Sequence, residues 1–125
     1  MAVEGISHRL EAFIAEHVDS VGLLEVLLLL HAAPDTALDA AAVAKALRVD
    51  PAWTEQTMAG LADKRLIARA GDAYRYDLTH AGHDVVDELA RAYADRRVTV
   101  IGLIFSKPAD RLRVFADAFR LFRDK

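Results

Sequence analysis

The sequence predicts a mainly α domain that carries one two-stranded β-hairpin. Three observations lead there. Apolar residues recur at helical spacing through most of the chain, Asp, Ser and Pro stand where helices would begin, and the period changes clearly only around Gly71-Asp72. With 125 residues, three prolines and six glycines, the chain suits one compact unit rather than a disordered one. A chain of that size buries roughly two-thirds of its unfolded surface and needs no metal or disulfide to fold.

The elements follow in order. Ile6, Leu10, Phe13, Ile14 and Val18 share one helical face, so residues 6–18 form an amphipathic helix. Asp19 and Ser20 are capping types, and a second helix starts near Val21. Its segment VGLLEVLLLLHAA is apolar nearly all round, which places it in the centre of a core; Pro34 and Asp35 end it. Asp39 is the N-cap of AAAVAKALR, with Leu38 and Val43 as a hydrophobic staple. Val49 leaves that helix, Asp50 caps the next, and Pro51 takes its first position. This fourth helix, about 51–64, buries Met58, Leu61 and Ala62.

Leu66 to Ala70 and Ala73 to Asp77 are short β-type runs around Gly71-Asp72, a two-residue hairpin. Tyr74 and Tyr76 alternate to the same side and cover the core. The helical pattern then returns. Val85, Val86, Leu89, Ala92, Tyr93, Val100, Leu103 and Ile104 fit one stripe, so a single helix of about 40 Å is expected over 80–106. Lys107-Pro108 breaks it, and a last helix over 108–123 carries Leu112, Phe115, Ala116, Phe119 and Phe122 on one face.

Composition excludes several functions. The absence of cysteine removes disulfides, Cys-ligated zinc and thiol nucleophiles. Ser7, Ser20 and Ser106 lie in no Gly-x-Ser-x-Gly elbow, and there is no Gly-rich phosphate loop and no HExxH. His80 and His83 are three apart but lack further ligands, and Asp87-Glu88 point to different sides of a helix. No catalysis, no metal and no cofactor are therefore expected. Residues 1–5 carry no basic run before an apolar stretch, and the apolar stretch 21–33 is shorter than the roughly 20 residues that span a bilayer. The basic Phe helix is expected to pack against protein, since Asp110, Asp117 and Asp124 weaken its attraction to anionic lipid. A cytoplasmic protein without a membrane partner is the expectation.

Helix, short helix, tight turn, helix and hairpin over 20–78 is the order of a winged helix-turn-helix. The stretch DAAAVAKALRVDPAWTEQTMAGLADKRLIARAGDAYRYD resembles the core of MarR-type and related winged-helix bacterial regulators, in its short helix AAVAKAL, its L-x-x-K-x-L-I pattern and its wing ending in Y-x-Y. The flanking elements and VIGLIFSKPADRLRVFADAFRLFRDK are similar to a group of small bacterial winged-helix proteins described as regulators. The expected organisation is an N-terminal helix (1–19), a winged-helix core (20–78) and C-terminal helices that dimerise (79–125).

The resemblance implies transcription regulation through duplex DNA bound by a homodimer. The fourth helix would present Gln56 and Thr57, with Thr54 as another candidate, and Lys64 at its end; Arg69 and Arg75 would act from the wing. Net charge is −3, with −5 in residues 1–35, balance in 36–78, −1 in 79–105 and +3 in 106–125. The balanced core motivates the alternative, a winged-helix protein-interaction module without DNA binding, anchored by Trp53. Trp53 otherwise packs on the hairpin or the preceding turn. The apolar excess of the last third predicts a dimer interface that includes Leu103, Ile104, Phe115 and Phe119.

Overall fold

A computed structural model describes residues 6–79 and 82–105. Eight elements follow in chain order: α1 (His8–His17), α2 (Val21–Ala32), α3 (Ala40–Leu47), α4 (Pro51–Asp63), β1 (Ile67–Ala70), β2 (Ala73–Tyr76), α5 (His83–Asp95) and α6 (Arg97–Phe105).

Each of the first four helices begins where a short polar side chain accepts a backbone N–H. Ser7, Ser20, Asp39 and Asp50 accept from Leu10, Leu23, Ala42 and Trp53, respectively. Pro51 holds the first position of α4. α2 is the central rod: Leu23, Leu24, Val26, Leu27 and Leu30 are all buried, and α3, α4 and β2 pack around it. An apolar surface all round is therefore what this helix requires.

α1 lies against α5 and α6. Arg9 Nε donates to Glu88 Oε1 at 2.9 Å across the rim of that contact. One continuous core joins the two groups of helices, from Ile6 and Leu10 through Leu24 and Leu27 to Val86, Leu89 and Ile104.

β1 and β2 pair antiparallel, with Ile67 opposite Tyr76 and Arg69 opposite Tyr74. Gly71 turns the hairpin at φ +65°, a conformation that favours glycine. Tyr74 and Tyr76 are buried, as their alternation predicts. One further pairing escapes the sequence pattern. Leu38 N–H donates to Tyr74 O at 2.8 Å, and Tyr74 N–H donates back to Leu38 O at 2.9 Å. β2 is thus flanked on both sides, and Leu38 is held by the wing as well as by its place before the Asp39 cap.

Two expectations need correction. The single helix over 80–106 is broken: Arg96, at φ −137° and ψ 51°, leaves the helical region, so α5 and α6 are separate. The backbone still bridges the break, with Arg96 N–H on Ala92 O and Val100 N–H on Arg96 O, and the Arg97 guanidinium lies 4.6 Å from the Tyr93 ring centre. Thr54 is fully buried, and its Oγ1 donates to Asp50 O at 2.8 Å, so it cannot touch a base or a phosphate. The expected helix over 108–123, with Phe115 and Phe119, lies outside the described residues.

Candidate nucleic-acid interface

α3 and α4 pack closely on one another across the short connection Arg48-Val49-Asp50, and the hairpin follows α4 after three residues. The outer side of α4 exposes Glu55, Gln56, Asp63 and Lys64, with Thr57 half-buried. Gln56, Thr57 and Lys64, three residues the sequence proposes, line one shallow cavity of about 240 Å³ with Trp53, Gly60 and Ser20.

The Trp53 ring reaches α2, a contact that the sequence does not suggest. It is half-buried against the first turn of α2. A Cβ at Gly22 would stand 2.8 Å from Trp53 Cη2 and 3.1 Å from Cζ2, closer than carbon atoms can comfortably approach. The alanine variant Gly22→Ala must therefore push the indole outward. Because this is the only tryptophan in the chain, its emission is expected to shift to longer wavelength, with little net change in stability. The ring's lost packing offsets the helix propensity gained, which is about 1 kcal/mol. An unshifted spectrum would contradict the contact.

The two wing arginines lie on opposite faces of the hairpin. Cross-strand pairing puts Arg69 on the face shared by Ile67, Tyr74 and Tyr76, and Arg75 on the opposite, solvent face. Arg69 Nη1 donates to Tyr74 Oη at 2.8 Å, with its guanidinium 5.1 Å from the ring centre, and Tyr74 Oη donates to Glu55 Oε1 at 3.0 Å. Burial, followed by the bond to Glu55, holds the Tyr74 hydroxyl above its ordinary pKa, so it stays a donor. This chain locks the wing to the N-terminal half of α4. Glu55, whose charge alone suggests repulsion from DNA, has a partner within the fold.

A second polar cluster lies behind the wing. His31 Nε2–H of α2 donates to Asp87 Oδ1 of α5 at 2.6 Å, and His83 Nε2 lies 3.6 Å from Asp87 Oδ2. His83 Nδ1 and Tyr76 Oη are hydrogen-bonded at 3.0 Å, and the His31 and Tyr76 rings meet edge to face at 5.0 Å. The bond from His31 holds the Asp87 carboxyl below the usual range, against burial, and the charges of His83, His31 and Arg91 add to it. Burial, with Asp87 and Asp77 adding negative charge, pushes the Tyr76 hydroxyl up. Nothing in the sequence marks this cluster, because His31 and Asp87 lie 56 positions apart. Among the described residues no group of three His, Cys, Asp or Glu side chains is placed to hold a metal ion. No described helix is long and apolar enough to cross a membrane.

The residues expected at a dimer interface also separate. Ile104 is 2% exposed, packed in the chain's own core, and Leu103 is half-buried. The outward stripe of α6 is instead Val98, Ile101, Gly102 and Phe105, with Val98 86% and Phe105 73% exposed.

A helix pair with its second helix presented, followed by a two-stranded wing and framed by helices from both ends of the chain, is a winged helix-turn-helix. No protein-family model and no curated protein matches the sequence. Among solved structures the chain is similar to MepR, described as a transcription regulator of the Staphylococcus aureus multidrug efflux pump MepA. The TM-score is 0.54 at 16% identity, over 93% of this chain and 87% of that one. At that identity the likeness is one of fold.

Proposed function

We propose that this chain is a transcription regulator that binds duplex DNA as a homodimer, with α4 in the major groove and the hairpin beside it. One observation carries the reading. Among the described residues, Lys45, Arg48, Lys64 and Arg75 have no carboxylate at ion-pair distance. Four of the six acids that balance them on paper are engaged elsewhere, while Asp63 and Asp72 stay exposed. Asp39 and Asp50 cap helix N-termini, where the helix dipole offsets their charge. Glu55 accepts from Tyr74, and Asp77 accepts from Thr79. These four cations are therefore available to phosphates despite the even count.

The outward stripe of α6 supports the homodimer. Val98, Ile101, Gly102 and Phe105 stand at the i, i+3, i+4, i+7 spacing that a partner helix covers. Among the described residues a Cβ at Gly102 would meet nothing within 4 Å, so nothing in their packing demands glycine there. A closely approaching second helix gives a reason for it.

The test is fluorescence anisotropy with mixed genomic fragments at low salt, about 50 mM. With about four to six phosphates neutralised per dimer, affinity should fall with salt at a log–log slope of about −4 to −5. Arg75→Ala should weaken binding to all sequences alike and make that slope shallower, because a wing arginine positions rather than reads. Gln56→Ala should relax preference at one base pair. Absence of any binding at tens of micromolar protein would remove the reading.

A further inference from the structure

The two ends of the connection into and out of α4 share an uncommon backbone. Arg48 has φ 59° and ψ 50°, and Arg65 has φ 63°; among the described residues these are the non-glycine residues with positive φ. Each closes a helix. The N–H groups of Arg48 and Val49 both reach back to Ala44 O. Arg65 N–H bonds to Ala62 O, and Leu66 N–H bonds to Leu61 O. Such a left-handed closing position strongly favours glycine, because a Cβ is crowded there. A long cationic side chain held in that conformation points to a function for the side chain.

Arg48 has the placement for one. It is exposed, and among the described residues it makes no ion pair and no side-chain hydrogen bond. It stands two residues before Asp50, whose carboxylate accepts from Trp53 N–H to start α4. A presented helix meets base edges with its N-terminal residues, so the turn before it runs along the groove wall, where the phosphates are. Asp50, the nearest acid along the chain, is turned toward the helix end.

We propose that Arg48 is a phosphate clamp: its guanidinium grips a backbone phosphate at the edge of the major groove that receives α4. The inference rests on the DNA-binding reading above and adds to it a residue that sets the depth and angle of the helix. A planar fork of donors suits a phosphate better than an ammonium does, and such a contact fixes register without reading sequence. Arg65 is the built-in comparison. It has the same backbone conformation, but with Lys64 and Leu66 it lines a cavity of about 560 Å³ that is walled by Phe13 and His17 of α1 and by Gly82 at the start of α5. That flank faces the framing helices.

The experiment compares Arg48→Gly with Arg65→Gly in the full chain. Glycine relieves the crowded backbone in both, so both variants should fold, with Tm raised by about 2–5 °C. Arg48→Gly should bind mixed-sequence duplex about a hundredfold more weakly, the loss of one charge-assisted bond in each subunit. Its salt slope should be shallower by about 1.8 per dimer, one phosphate per subunit. Arg65→Gly should keep the wild-type affinity and slope. Unchanged affinity and slope in Arg48→Gly, while the wild type binds, overturns the clamp and leaves DNA binding standing. An equal loss in Arg65→Gly overturns it too, since position would then not matter. A wild type that binds no DNA removes the reading and the clamp together.

Discussion

Aspartate at position 104 is expected to unfold the chain, whereas aspartate at position 105 is expected to leave it folded and unable to self-associate. Ile104 is 2% exposed, in the core that α6 shares with α1 and α5. A carboxylate there would be shut away from solvent among apolar side chains, and an unpaired buried charge costs several kcal/mol. That is a large part of the roughly 5–15 kcal/mol that holds a domain together. Phe105 is 73% exposed, so Phe105→Asp removes little from the chain's own packing. It sets a charge in the proposed seam and a second one across the two-fold axis. Circular dichroism should report loss of helix in Ile104→Asp alone. Sedimentation velocity should report a monomer for Phe105→Asp and a dimer for the wild type. A dimer that survives Phe105→Asp would place the contact elsewhere.

Asp87→Asn is expected to lower stability near neutral pH by about 0.5–1 kcal/mol, the solvent-screened range, because the Asp87 side chain is 37% exposed. The substituted amide would offer His31 a neutral oxygen in place of a carboxylate and would lose the attraction of His83 and Arg91. The pH dependence has a definite sign. A carboxyl whose pKa is lowered by folding adds stability above its unfolded pKa and loses it as pH falls through the folded one. The gap between wild type and Asp87→Asn in urea unfolding should therefore close below about pH 4. A gap that stays constant to about pH 2 would mean that the carboxylate charge is not what holds the cluster.

Much of the fold can be read from local chemistry. Ser20, Asp39 and Asp50 each act within three residues of themselves, and Gly71-Asp72 closes the hairpin between immediate neighbours. Such signals need no knowledge of the rest of the chain. The break at Arg96 is hidden for a specific reason. Tyr93 and Val100 are seven residues apart, so the stripe of α5 runs into that of α6 without a change of phase; only the polar run Asp95-Arg96-Arg97 marks the place. The pairing of Leu38 with Tyr74 is equally hidden, because a single bridged residue leaves no alternating pattern.

The candidate site is less legible. Gln56, Thr57 and Lys64 come together because helical spacing alone puts them on one side. Arg69 and Arg75 part because strand alternation over an odd-even register separates them, which depends on Arg69 facing Tyr74. Arg48 carries only a weak signal. The run ALRVDP must end one helix and start another within three residues and offers no glycine to do it.

The clasp between Leu38 and Tyr74 has a consequence for the order in which the chain folds. Its two hydrogen bonds join the ends of a closed loop that contains α3, α4 and β1. Closing a loop of that length costs chain entropy before either bond gives any return. The clasp therefore belongs late in the sequence of events, after the helix pair and the hairpin have shortened the effective path between its ends. Once shut, it makes the presented helix an internal segment of a ring. α4 then opens with the whole ring rather than fraying by itself, and its amides inherit the protection of a cooperative unit larger than one helix.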